Sequence, residues 1–194
     1  MSEAAAFERA LATAAAELVA AGQRFALVGG LAVSVRAEVR FTRDVDFAVA
    51  VGADAEAESL VYRLRERGYR AVASVEHETR RRLSTVRLLS PEGVKIDLLF
   101  ASSGVELEIV TRALPVALPG LGPIPVARAE ELLVMKVLSM TDRRLQDRLD
   151  ARQLLAHNPE LDLDDVRRTL RTVKERGFDR DQDLEAKLDE LLVG

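Results

Sequence analysis

Two aspartates, Asp44 and Asp46, stand two residues apart at the start of an apolar run, in the stretch LVGGLAVSVRAEVRFTRDVDFAVAV that spans 27–51. The alternation of this run predicts a strand. Its period puts Val45, Phe47, Val49 and Val51 on one face and Asp44, Asp46, Ala48 and Ala50 on the other. Two carboxylates about 4 Å apart in a medium of effective dielectric about 20 repel by on the order of 4 kcal/mol, a large part of a domain's stability. A chain that carries such a pair must bring a cation to it.

Elsewhere the sequence limits what that cation can be. There is no cysteine, and the two histidines, His77 and His157, are far apart, so a thiolate or histidine-rich zinc centre is excluded. Oxygen donors remain, and they suit Mg²⁺ or Mn²⁺. A third carboxylate arises in VKIDLLF, where Val94, Ile96, Leu98 and Phe100 share one face and Asp97 lies on the other with Lys95 and Leu99. If the two strands lie side by side, three carboxylates meet, a donor set for divalent ions that bind through a few carboxylates and substrate phosphates. Taken alone, each aspartate also reads as the partner of a nearby arginine.

The rest of the chain supplies a scaffold. With 48% hydrophobic residues and 31% charged, the 194-residue chain has the composition of a folded domain. Aromatics are only 4%, so the core must be Leu, Val and Ala. A formal net charge of -4 argues against non-specific coating of nucleic acid or anionic membrane. No apolar run approaches the ~20 residues of a membrane span, and a cytoplasmic protein is expected.

Caps and periodicity predict a helix from Ser2 to Gly22, a strand at 25–28, a turn at Gly29-Gly30, a helix at 31–38, a strand at 44–51, and a helix from Asp54 to Gly68. Strands follow at 71–75, 83–89 and 94–100, the last two joined by the turn SPEG into an antiparallel hairpin. Four of the six prolines, Pro115, Pro119, Pro123 and Pro125, fall in PVALPGLGPIP. Such a segment cannot continue a helix and would interrupt a central strand, which makes it the expected boundary between a unit over 1–120 and one over 121–194. Helices are expected beyond it at 128–140, 144–156, 162–176 and 183–193.

Three further features bear on chemistry. Gly29-Gly30, between a strand and a helix start, lets backbone N–H groups approach a phosphate with no Cβ in the way. Lys136 lies within an apolar helical stripe, and either snorkels to water or reaches a site. The stretch 63–87 holds eight arginines against three glutamates; such a run forms a solvated face or, in a cleft, a guide for nucleic acid. His77 reads as a loop residue and His157 as part of a helix end.

The order of strand, Gly29-Gly30, helix, Arg40-x-Thr42, Asp44-x-Asp46 and a later Asp97 in KIDLL resembles the nucleotidyltransferase superfamily that includes DNA polymerase β. In particular it resembles the AbiEii-type toxins of type IV toxin–antitoxin systems. Over 128–155 the likeness is weaker, carried by Lys136 and the segment QDRLD. The usual first motif is Gly-Ser; here it is Gly-Gly, a variant also found in aminoglycoside nucleotidyltransferases.

The resemblance implies an α/β (α+β) polymerase β-like core with a mixed sheet, followed by a helical C-terminal subdomain. It implies transfer of a nucleoside monophosphate from an NTP to an acceptor hydroxyl, with release of pyrophosphate. Asp44, Asp46 and Asp97 would be catalytic and would hold Mg²⁺ or Mn²⁺. Gly29, Gly30 and Lys136 would hold the triphosphate, and either Asp147 or Asp150 would be the last acidic residue. RNA such as the tRNA 3′ end would be the acceptor, with an antitoxin protein as partner. A small molecule such as an aminoglycoside, or a protein hydroxyl, are the other acceptors, and a catalytically silent nucleotide-binding partner is the competing class.

Overall fold

The structure is a computed structural model that describes residues 2–77, 82–118 and 120–193, with the side chain of His77 left aside. Arg80 and Arg81 of the basic stretch, and Pro119 of the proline segment, lie outside the described residues.

A seven-stranded mixed sheet forms the centre, in the order β3-β4-β5-β2-β1-β7-β6. Helix α1 (Glu3–Ala20) opens the chain, with the Ser2 side chain accepting the Ala5 N–H as its cap. It buries Leu11, Ala14 and Leu18, and the chain turns at Gly22 in the left-handed region. Strand β1 (Arg24–Val28) leads into α2 (Gly29–Arg36), so the helix begins at the glycines rather than after them.

Strand β2 (Asp44–Ala50) then returns antiparallel to β1. Its period-2 pattern is realised: Val45, Phe47 and Val49 are fully buried. Helix α3 (Asp54–Glu66) and strands β3 (Arg70–His77), β4 (Arg82–Leu89) and β5 (Lys95–Leu99) follow. The β4–β5 hairpin forms as the turn sequence predicts, and β5 lies parallel to β2.

Helix α4 (Glu106–Arg112) is an addition to the expected elements. A larger departure concerns the prolines. The segment forms two strands, β6 (Leu114–Leu118) and β7 (Gly122–Val126), paired antiparallel at the end of the sheet. Pro115 lies on β6, the edge strand, where part of the N–H row is unpaired; Pro123 and Pro125 lie on β7, which meets β1 in register at Leu27 and Val126, beyond both prolines. The boundary at residue 120 therefore falls in the turn of this hairpin, β7 still belongs to the sheet, and the helical portion opens with α5.

That portion comprises α5 (Ala129–Ser139), α6 (Leu145–His157), α7 (Leu163–Glu175) and α8 (Leu184–Val193). Helix α5 packs on α6, α7 and α8, and α2 packs on both α5 and α6, which brings the helical portion against the carboxylate end of the sheet. Among the described residues no helix is long and apolar enough to cross a membrane.

Candidate active site

Register decides the site. Parallel pairing of β2 with β5 sets Asp46 directly opposite Asp97, with Asp44 opposite Lys95. Antiparallel pairing of β1 with β2 sets Val28 opposite Asp46, so the chain leaves β1 beside that carboxylate. Gly29 has φ +65, and a Cβ at this position would collide with the Asp46 carboxylate. Only glycine meets both conditions without strain. The backbone N–H of Gly30 donates to Asp46.

Asp46 is under electrostatic stress. Burial, then the neighbouring charge of Asp97, and to a smaller extent Asp44, push its carboxyl up to about 7, against the pull of Lys136 and the Gly30 N–H. Asp97 has found a partner. It is 7% exposed, and Arg87, opposite it on β4, donates from Nε to Oδ1 at 2.8 Å and from Nη2 to Oδ2 at 2.6 Å. Among the described residues Asp44 has a distant one, Lys95 Nζ at 4.0 Å.

Lys136 neither snorkels nor stands free. Its Nζ lies 2.8 Å from Asp147 Oδ1 and 2.7 Å from Asp150 Oδ2. Asp147 and Asp150, both on α6, thus hold the lysine between them. Burial raises the Asp150 carboxyl, but hydrogen bonds from Lys136, Gln146 and Arg40 outweigh it and hold the group below the usual carboxylate range. Arg40 reaches Asp150 with Nε at 2.8 Å and Nη2 at 2.9 Å, passing over Gly30, where a Cβ would strike the guanidinium. The Gly-Gly variant thus leaves room for an arginine that ties the α2–β2 loop to α6.

All six residues named from the sequence, Gly29, Gly30, Asp44, Asp46, Asp97 and Lys136, line one cavity of about 630 Å³. Arg87, Arg143 and Arg144 line it too, and sequence reasoning had not assigned them to the site. Of the described arginines in the basic stretch, Arg87 faces this cavity, whereas Arg67 and Arg82 pair with Glu17 and Asp54. His157 stands at the end of α6, its Nδ1 3.0 Å from the Gln153 carbonyl.

Among the described residues no three Asp, Glu or His side chains form a ready metal-ligand set. The pairings explain this. Asp97 spends both oxygens on Arg87, so the three carboxylates share a cavity without converging on one point.

Three solved structures share this architecture. The antigenic nucleotidyltransferase-like protein from Paracoccidioides brasiliensis is 18% identical over 94% of this chain and 92% of that one, with a TM-score of 0.52. The antibiotic-resistance factor ANT(2'')-Ia is 15% identical over 87% and 94%, with a TM-score of 0.51. JHP933 from Helicobacter pylori is 17% identical over 100% and 90%, with a TM-score of 0.50. Comparison of the sequence with curated proteins gives no match.

The fold is that of the nucleotidyltransferases. Residues 9–192 match the family described as nucleotidyl transferase AbiEii toxin, type IV TA system, and the chain belongs to that family. It is an enzyme of the nucleotidyl-transfer class.

Proposed function

We propose that this enzyme transfers a nucleoside monophosphate from an NTP to a hydroxyl of RNA, most specifically at a tRNA 3′ end, in a toxin-like role checked by a cognate antitoxin protein. The observation that carries the reading is the Asp46–Asp97 pair, held side by side in a cleft that also contains a glycine turn and a clasped lysine. In the reaction the acceptor oxygen attacks the α-phosphorus, the bond to pyrophosphate breaks, and the hydroxyl proton passes to a carboxylate of the site. The Gly29-Gly30 turn and Lys136 hold the triphosphate, and Asp97 helps to remove the proton.

The residues fit a divalent ion in kind. All candidate donors are oxygen, and the Asp46 carboxyl, raised first by burial and then by the charges of Asp97 and Asp44, is a group that a bound cation would return to its charged form. Asp44, Asp46 and Asp97 would hold Mg²⁺ or Mn²⁺, which when bound neutralises charge on the phosphates and lowers the cost of forming the attacking alkoxide. RNA as acceptor is supported by the family's toxin description and by Arg87, Arg143 and Arg144 in the cleft, which suit a polyanion. An NTP-dependent reaction on RNA belongs in the cytoplasm.

The test is to incubate the protein with each α-labelled NTP, Mg²⁺ and total RNA, with parallel reactions on an aminoglycoside and on protein alone. Label on RNA is expected. Label only on the aminoglycoside or protein overturns the acceptor, and NTP binding without any labelled product overturns catalysis.

A further inference from the structure

Beside the cleft runs a second depression of about 680 Å³, formed by the start of α1, the loop between α2 and β2, and the turn before β5. It meets the first cavity at Arg40, Thr42 and Asp44, which line both. Its charges are mixed. Arg40, Arg43 and Lys95 face four acidic residues, Glu3, Glu8, Asp44 and Glu92, so it makes no track for a phosphate backbone.

What it offers is apolar surface with two aromatic rings, the half-buried Phe7 of α1 and the exposed Phe41 of the loop. Phe41 is 72% exposed, in a chain whose aromatics are scarce. The Arg43 guanidinium lies over the ring, 5.3 Å from its centroid. The backbone beneath is tied down on both sides. Arg40 is anchored to Asp150, donates from Nη1 to the Phe41 carbonyl at 3.2 Å, and donates its N–H to Ser34 Oγ at 3.2 Å. Thr42 Oγ1 donates to the Asp44 carbonyl at 3.3 Å. An exposed phenyl ring on a pinned loop is a prepared stacking surface, since little ordering is left for a ligand to impose.

From this geometry we infer that Phe41, backed by Arg43, is the platform on which the terminal nucleobase of the RNA acceptor stacks. The assignment rests on the nucleotidyl-transfer reading given above. The acceptor rather than the NTP is chosen by the direction of attack. Gly29, Gly30 and Lys136 line the first cavity and not the groove, so the leaving pyrophosphate is held away from Phe41. In-line displacement requires the attacking oxygen to approach from the opposite side of the α-phosphorus. The groove reaches the carboxylates through Asp44 and provides such an approach.

The chain contains no tryptophan, so Phe41→Trp places a single tryptophan on the platform, which can be excited selectively over the two tyrosines. The probe is a short oligoribonucleotide ending in CCA, compared with the same oligonucleotide carrying an abasic 3′ ribose and with NTP alone. Quenching by the intact oligonucleotide, much weaker quenching by the abasic one and none by NTP is the expected pattern. Phe41→Ala should raise the KM for RNA by on the order of tenfold and leave the KM for NTP unchanged. Quenching by NTP with a raised KM for NTP would assign the ring to the donor base and overturn the proposal. Equal quenching by intact and abasic RNA, or none while the variant still labels RNA, would overturn it as well. Because the fluorescence titration needs no turnover, a wild-type protein that labels no RNA refutes the transfer reading separately.

Discussion

Arg87 and Asp97 face each other in register across β4 and β5, and the guanidinium covers both oxygens of the carboxylate. On its other side Asp97 faces Asp46 across β5 and β2. Three strands thus carry a row of cation, anion and anion, and Lys136 on α5 adds its pull on Asp46. Arg87 stands where a metal ion would compete with it. Replacing it with glutamine should lower the stability of the metal-free protein by about 1–3 kcal/mol, less than for a fully buried pair because the side chain is 41% exposed. The same Arg87→Gln change should raise Mg²⁺ affinity on the order of tenfold in a titration without nucleotide, since it removes the competitor. Unchanged metal affinity would show that Asp97 is not a ligand.

Asp46 gives the pH dependence. Its folded pKa of about 7 lies above the ordinary 3.8, so the native state binds this proton more tightly than the unfolded state does. The sign follows from linkage: between about pH 4 and 7 the native state holds more protons, and stability falls as pH rises through that window. In metal-free buffer, Asp46→Asn should flatten this slope and melt higher than wild type at pH 8, while abolishing transfer. Denaturation at pH 5 and pH 8 on both proteins measures it, and Mg²⁺ should restore stability only to wild type. A wild-type slope that survives the substitution would assign the titration to another group.

Much of this site can be read in the sequence because strands have period two and the carboxylates lie on strands. DVDFAVA and KIDLL each declare a face, and the SPEG turn fixes the β4–β5 register. Counting back from that turn pairs Leu89 with Lys95, Leu88 with Ile96 and Arg87 with Asp97, so the arginine was within reach of the sequence. The proline strands were not, because whether a proline is tolerated depends on which strands become edges, a property of the assembled sheet. Nor was the Lys136 clasp. It needs α5 and α6 at a particular packing, and the apolar stripe around Lys136 gives no sign of the two aspartates on the neighbouring helix.

The two glycines should behave differently. At Gly29 an alanine must adopt a left-handed φ, costing ~1 kcal/mol or more, and its Cβ would push Asp46 aside. Transfer should be lost. At Gly30 the obstacle is the tip of the Arg40 side chain, which can swing away. Gly30→Ser should therefore fold and retain measurable transfer, with stability lowered by the loosened Arg40–Asp150 pair. Paired activity and melting measurements decide it, and a fully active Gly29→Ala would remove the Asp46 assignment.

Lys136 carries the last prediction. The lysine lies between Asp147 and Asp150, and Asp150 is fully buried. Lys136→Met would leave these carboxylates, among the described residues, to Arg40, Arg144 and the neutral Gln146, so the variant should lose stability, by ~3–5 kcal/mol if the remaining cations do not adjust. A fall in turnover from that variant would not separate triphosphate binding from a damaged fold. Asp147→Asn separates them. It keeps the Asp150 pairing but weakens the grip on Nζ, freeing the ammonium toward the cavity it lines. If Lys136 binds the triphosphate, Asp147→Asn should keep near-native stability and lower the Kd for NTP or leave it unchanged, whereas Lys136→Gln should raise it 10–100-fold, the loss of one or two charge-assisted contacts of about 1.5–3 kcal/mol. Equal NTP affinity in wild type and Lys136→Gln, measured by titration on folded protein, would make the lysine a strut between α5 and α6.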